Sequence, residues 1–368
     1  MRLLDRYLLR ELLVPLGYCL SGFLVFWISF DLISELDDFQ KARLRAGDVA
    51  EYYLVKTPEF LVTVMPIALL LALLYALTHH ARHHELTAMR AAGVSFWRLS
   101  VPYLGVGLVF SLGVFALNEF CVPSGTDLAD QILDRHLGGG DWRRNVGFHN
   151  SRDGRTWTAS ALNLRTGELR NPQVDWRLPD GTRRQVFADQ ARWTNGGWTF
   201  YGVQEFLYHS PQETVATEKV TTNVWRAAGF AETPAQIKSQ LKVDDLSSIS
   251  ASKKTRLAIR EIQEYFQWNP HPAPDKYTLL RTQWEGRLAE PWTCLVVVLI
   301  ALPFGAAGGR RNVFVGVANS ITICFAYYIL LRLGLALGTG GYLPPWLAAW
   351  SPNLLFAGAG IWLTQRQP

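Results

Sequence analysis

The chain is poor in cysteine, in charge and in the glycine-lysine loops that cradle nucleotide phosphates. Four cysteines occur in 368 residues, Cys19, Cys121, Cys294 and Cys324, and no CxxC pair is among them. That argues against thiolate metal sites and disulfide frameworks and leaves the four as packing residues. No Gly-Lys dipeptide occurs anywhere, so a GxxxxGK[ST] loop is excluded and any ATP must be bound by another chain. The net charge of +5 is modest. No block of Lys and Arg interleaved with aromatics marks a nucleic-acid face, and membrane headgroups suffice to explain the basicity.

What the sequence does contain is apolar: 49% hydrophobic residues against 18% charged, with 14 Trp and 19 Phe, too apolar for an ordinary soluble protein. The surplus lies at the two ends, in nearly uncharged runs at 12–36, 54–78, 96–122, 288–308, 313–337 and 343–363. At about 1.5 Å per residue each can cross roughly 30 Å of hydrocarbon, which predicts six transmembrane helices. The first run is too long for a signal-peptide core and lacks a small-residue cleavage site, so it reads as retained.

Between the two groups lies a polar insert at 123–287, which divides the chain into a membrane half at 1–122, a soluble domain and a second membrane half at 288–368. Short alternating, aromatic-rich runs fill 142–228, broken by Asp180-Gly181 and Asn195-Gly196-Gly197. These are hairpin signals, and they predict an all-β domain of about eight strands. No Ser-His-Asp or paired-carboxylate pattern stands out there, and its Trp and Phe content suits either packing or a lipid-holding interior. The stretch 243–266 reads as a charged helix, and NPHPAPDK as the linker back to the membrane.

Six spans place both termini, the 78–95 loop and the turn Gly309-Arg310-Arg311-Asn312 on one face. Arg2, Arg6, Arg10, Arg82, Arg90, Arg98, Arg310, Arg311 and Arg366 favour that face as cytoplasmic. Lys41, Arg43, Arg45 and Lys56 crowd the opposite first loop, so the charge rule decides weakly.

The loop THHARHHELTAMRAAGVS holds four of the eight histidines. His79 with His83, and His80 with His84, stand four apart and on a helix could chelate a divalent ion, although the glutamate follows the last histidine and no HExxH spacing exists. The competing reading is imidazoles at a helix end facing headgroups. After them, Leu86, Met89 and Ala92 can face the membrane or its helices while Glu85 and Arg90 project outward, and Gly93 can terminate the helix. A short amphipathic helix across such a loop suits docking of a partner.

The stretch ELTAMRAAGVSFWRL, with NEFCVP about 25 residues later, resembles the LptF/LptG permease family of bacterial lipopolysaccharide export. So do LLDRYLLRELL near the start, EGRLAEPWTCLVVVLIALPFG at the fourth span, and YYILLRLGLALG with LPPWLAAWSPNLLF in the last two. The resemblance implies an inner-membrane permease of three spans, a periplasmic β-jellyroll and three spans, with no catalytic residues. It implies pairing with a paralogous subunit, an LptB-like cytoplasmic ATPase dimer holding ATP and Mg, and LptC-like and LptA-like jellyroll bridges that receive lipopolysaccharide. It makes 84–93 the coupling helix, with Glu85, Arg90, Ala91 and Gly93 at the ATPase.

Two further expectations concern the lipid. Lys41, Arg43 and Arg45 follow the first span at the outer boundary and are expected to meet phosphorylated headgroups, although Asp37, Asp38 and Asp48 could balance them in a solvated loop. Asp31 and Arg332 each lie 20 residues beyond a cytoplasmic entry, at Glu11 and Asn312. Similar depth lets them meet at a lateral gate, within or between subunits. Asp31 stands where some members of the resembled family carry a base, which shifts phosphate binding by this span towards the paralogue.

Overall fold

A computed structural model of the chain describes residues 3–136, 142–150, 153–163, 166–178, 181–209, 218–227, 229–247, 257–270, 272–306 and 313–365. The chain divides into two compact units, a helical one made of Met1–Leu36, Tyr53–Gly125 and Ala273–Pro368, and a second made of Asp37–Tyr52 and Thr126–Pro272.

The first half contributes α1 (Leu3–Ser34), α2 (Leu36–Lys41), α3 (Ala46–Arg82), α4 (Glu85–Ala91) and α5 (Phe96–Ala116). A π-helical turn over Leu117–Cys121 then leads into α6 (Val122–His136). α3 is the central helix. Ala68, Leu69, Ala72, Leu73, Ala76 and Leu77 form one fully buried stripe along it, and Leu70 and Leu74 are buried beside them, as in a helix surrounded by neighbours on most sides. α1 is the opposite case, with Val25, Phe26 and Phe30 exposed, as a face turned to lipid or to another membrane chain requires.

The second half comprises α9 (Pro274–Ala289), a 3-10 turn at Glu290–Trp292, α10 (Thr293–Ala306), α11 (Val313–Thr339) and α12 (Pro345–Gln365). α9 begins inside the expected linker, because Pro274 takes its first turn, where a missing N–H costs nothing. Close backbone crossings hold these helices. A Cβ on Gly334 would stand 2.5 Å from the Ala348 carbonyl oxygen, and one on Gly360 2.8 Å from that of Leu299. Gly309 to Asn312, expected as a turn, lie outside the described residues.

Among the described residues five helices are long and apolar enough to cross a membrane: Leu3–Ser34, Ala46–Arg82, Phe96–Leu133, Pro274–Pro303 and Ile321–Thr339. The sixth expected span is the helix α12, whose Trp346, Ser351, Pro352 and Asn353 dilute its apolarity. The protein is thus a helical membrane protein carrying an inserted β domain.

Among the described residues the β domain has eight strands: β1 (Trp142–Asn150), β2 (Arg155–Asn163), β3 (Leu169–Arg170), β4 (Gln173–Arg177), β5 (Arg183–Phe187), β6 (Gln190–Thr194), β7 (Gly197–Tyr208) and β8 (Glu218–Ala227). All pairings are antiparallel, in the order β1-β2-β3-β6-β7-β5-β4 with β8 on β7 and a further β2–β4 pairing. The β2–β4 pairing closes a ring through β2, β3, β6, β7, β5 and β4, which gives the sheet its barrel-like form. The expected turn at Asn195-Gly196 joins β6 to β7, with φ of 50° and 74° at its centre, the positive values that a tight hairpin demands. Asp180 of the other expected turn is outside the described residues, while Gly181 has φ of 87°.

The core of this domain is aromatic. Trp198 and Phe200 are fully buried, Trp157 is nearly so, and Phe230 from the segment after β8 lies 5.4 to 5.9 Å from the rings of Trp157, Trp176, Phe200 and Trp225. The Trp198 indole N–H donates to the Glu232 carbonyl at 2.6 Å, so a large apolar body is buried without stranding its polar tip. The aromatic residues described here serve packing. α7 (Pro234–Ser247) adds Ile237 and Leu241 to the core, and α8 (Ile259–Trp268) follows. Residues 248–256, inside the expected 243–266 helix, lie outside the described residues.

Candidate functional site

The short helix α4 is bounded at both ends by a left-handed residue, and only its C-terminal end is capped by hydrogen bonds. His84 turns left-handed, with φ of 59°, and so separates α3 from α4. At the other end Gly93 has φ of 86°, its N–H bonds the Arg90 carbonyl at 2.9 Å, and the Val94 N–H bonds that of Met89 at 3.2 Å. This paired arrangement satisfies carbonyls that the last turn leaves open, and it requires a residue free to adopt positive φ. Ser95 then caps α5, its hydroxyl accepting from the Arg98 N–H at 3.3 Å.

α4 buries one face and shows the other. Leu86 is buried, and Met89 and Val94 pack partly against the helical core. Thr87, Ala88, Arg90, Ala91 and Gly93 are exposed. Arg90, Ala91 and Gly93 are therefore each open to a partner.

Glu85 does not simply project outward, as its place in the sequence suggests. His80 Nδ1 lies 2.7 Å from its Oε2, and the Tyr7 hydroxyl donates at 3.0 Å to Oε2 and 3.2 Å to Oε1. A carboxylate only accepts, so Nδ1 carries the hydrogen in this contact. Burial works against ionisation of Glu85, but the hydrogen bonds from His80 and Tyr7 outweigh it and hold the carboxyl below its ordinary pKa. The group is consequently a fixed anion, about one third exposed.

The four histidines separate by role. His80 is fully buried and belongs to the same α3 stripe as Leu73, Ala76 and Leu77. His79 and His83 lie with ring centroids 4.4 Å apart, and His83 Nδ1 bonds the His79 carbonyl at 2.9 Å. His84 serves as the left-handed hinge. His80 and His83 are thus hydrogen-bonded to a carboxylate and to backbone respectively. Among the described residues no group of three or more His, Cys, Asp or Glu is arranged to hold a metal ion.

Sequence reasoning missed the contribution of α1. Asp5 accepts from the Arg98 guanidinium at 2.8 and 2.9 Å, and Tyr7 reaches Glu85, so one turn of α1 is bonded to both α4 and α5. Position 80 was legible as a continuation of the buried stripe, whereas nothing local marks a tyrosine 78 residues away as the partner of Glu85.

The expected contact of Asp31 with Arg332 is not formed within this chain. Asp31 instead accepts from Lys56 at 3.0 and 3.2 Å, both side chains being largely buried. Arg332 is exposed on α11 beside the exposed Phe325, Ile329 and Leu333. Lys41, Arg43 and Arg45 are all exposed. Lys41 pairs with Asp38 at 3.3 Å, and Asp48 accepts from the Arg45 backbone N–H at 2.9 Å to cap α3. The acids expected to balance this loop are thus partly used by the loop itself.

A second polar cluster lies within the helices. Asn118, on the π-helical turn, donates to Glu290 at 3.2 Å, and the Arg287 guanidinium donates to the Asn118 carbonyl and side-chain oxygens at 3.3 Å each. Nearby, the Tyr327 hydroxyl joins Thr293 at 2.8 Å and Asn353 at 2.5 Å, and Asn353 donates to the Ala289 carbonyl at 2.8 Å. Each buried polar group named here has a partner, which such groups require away from water.

Comparison with known proteins agrees with this layout. The sequence model of the family described as lipopolysaccharide export system permease LptF/LptG matches residues 6–366. The lipopolysaccharide export system permease protein LptG of Haemophilus influenzae is similar at 23% identity over 324 residues, 84% of this chain and 83% of that protein.

Proposed function

Because the chain belongs to the LptF/LptG family of lipopolysaccharide export system permeases, we propose that it is one half of an ABC transporter that draws lipopolysaccharide from the outer leaflet of the inner membrane. It is a multi-pass inner-membrane permease. In this reading its termini and α4 are cytoplasmic, its β domain is a periplasmic jellyroll, and a paralogous subunit completes the membrane path. An LptB-like ATPase dimer supplies ATP and Mg from the cytoplasm, and LptC-like and LptA-like jellyrolls accept the lipid.

The physical demand is clear. Removing an acyl chain from a leaflet costs about 0.8 kcal/mol for each CH₂ exposed, so extraction needs both an energy source and a sheltered path. The chain has no phosphate-binding loop of its own, and the energy must enter through a docked partner. The observation that carries the reading is α4: a capped helix with Leu86 anchored in the core, an exposed Arg90–Ala91–Gly93 surface and a fixed anion at Glu85. In the family such a glutamate enters a groove of the ATPase.

For the lipid, Lys41, Arg43 and Arg45 are the headgroup contacts of this proposal. The exposed Lys41–Asp38 pair is of a kind worth only about 0–1 kcal/mol, so a phosphate can displace Asp38. Arg332, on the exposed apolar face of α11, is directed at the paralogous subunit, and Asp31 of α1, held by Lys56 of α3, forms the polar part of the gate.

The test is purification from cells co-expressing candidate ABC ATPases, with wild type beside Glu85→Lys. Recovery of an ATPase with the wild type and its loss with the variant is the expected result. Equal recovery with both would remove Glu85 from the docking surface.

A further inference from the structure

The carboxylate that faces the partner is not held by its own helix. His80 comes from the end of α3, and its imidazole is fixed by complete burial. Tyr7 comes from α1, and its ring stands 5.6 Å from that of His80. Both donate to Glu85, from opposite neighbouring helices. The Asp5–Arg98 ion pair, two residues earlier on α1, binds the same turn to the helix that follows α4. The first turns of α1 are therefore clamped on the docking helix from both sides in sequence, while the rest of α1 leaves Val25, Phe26 and Phe30 exposed.

We propose that Tyr7 and His80 are positioning residues for the ATPase contact, presetting the Glu85 carboxylate in one orientation, and that Tyr7 makes α1 part of the docking joint. This rests on the reading of Glu85 as the docking anion. A flexible glutamate must be ordered when a partner cation arrives, and a preset one need not be. Two donors on the carboxylate also leave acceptor capacity for the partner, since an ionised carboxylate offers about four lone-pair sites. The clamp has a consequence for motion. Whatever shifts Glu85 on docking or on ATP turnover pulls on α1 through one hydrogen bond, with no intervening loop.

The test is a double-mutant cycle on the permease pair in nanodiscs, reading affinity for the purified ATPase. Tyr7→Phe removes only a hydroxyl on a half-exposed side chain. It is expected to weaken ATPase binding about 3- to 10-fold, less than a full charge-assisted hydrogen bond because the lost contact orders Glu85 and does not touch the ATPase, and to have no further effect when Glu85 is already Ala. His80→Leu should weaken binding similarly, and His80→Asn, which keeps a donor near Nδ1, should restore most of it. A simple fold defect would lower thermal stability for all variants alike and would not be rescued by Asn. Unchanged affinity for Tyr7→Phe, or an equal loss in both Glu85 backgrounds, overturns the positioning role. If Glu85→Ala itself binds the ATPase normally, the docking reading beneath it fails instead.

Discussion

The aromatic core of the β domain and the helix crossings of the membrane unit solve the same packing problem by opposite means. In the β domain, Trp157, Trp198, Phe200 and Phe230 bury large rings, and the indole N–H groups of Trp198 and Trp157 reach the carbonyl and the carboxylate of Glu232. In the helical unit, Gly334 and Gly360 let backbones touch, and the Thr293, Tyr327 and Asn353 side chains bond across three helices. The solvent explains the difference. In water, removing about 150–250 Å² of aromatic surface drives folding. In lipid, the tails are as apolar as leucine, and close van der Waals packing and interhelical hydrogen bonds take over.

The largest effect expected from this contrast is at Trp198. Replacing it by Ala should cost the β domain about 3–5 kcal/mol. Hydrogen exchange on the full chain should then show β6 and β7 opening more readily while α3 is unchanged; equal loss in both would deny the units separate cores. Next comes Gly334→Val, which forces a side chain against the Ala348 carbonyl and should cost about 1–3 kcal/mol as overpacking. Its control is Gly113→Ala, where a Cβ meets nothing within 4 Å; detergent melting should fall for the first and hold or rise for the second.

Smaller again is Tyr327→Phe. It leaves Thr293 and Asn353 short of one partner, at a cost of about 1–2 kcal/mol, and melting of the helical unit with the β domain unaffected is the outcome that would sharpen the comparison. The smallest effect is one of pH. Burial raises the Asp175 pKa, but hydrogen bonds from Arg183 and Gln185 outweigh it and hold the carboxyl below its ordinary range. Its folded pKa is therefore the lower one, and its contribution is complete above the unfolded value of about 3.9 and is lost as pH falls through the folded value. Asp175→Asn should make unfolding of the β domain less steep below about pH 4, and acid unfolding of identical slope would show the ion pair to be inert.

Much of the fold was legible because its signals are local. Long uncharged runs marked the spans, Asn195-Gly196 marked a hairpin, and Gly93 marked the end of α4. The β insert announced itself by turn chemistry and short aromatic runs. The charged residues of EGRLAEPW, read only as the opening of a span, proved to lie inside a continuous helical stretch that begins at Pro274. Arg287 and Glu290 are tolerated there because Asn118 meets both. The site was half legible. The amphipathic pattern of α4 followed from spacing, but the partners of Glu85 and Asp31 did not, because counting residues along a helix says nothing of the direction in which a side chain points.

The sequence by itself determined where the chain is apolar and where it turns. Those properties belong to stretches of a few to about twenty residues, whose hydropathy and backbone preferences act within the stretch. Only the tertiary structure decided that Tyr7 and His80 hold Glu85, that Lys56 rather than Arg332 meets Asp31, and that Asn118 meets Arg287 and Glu290. A hydrogen bond needs donor and acceptor within about 3 Å and aligned, and that is set by how helices rotate and cross, which no local pattern specifies.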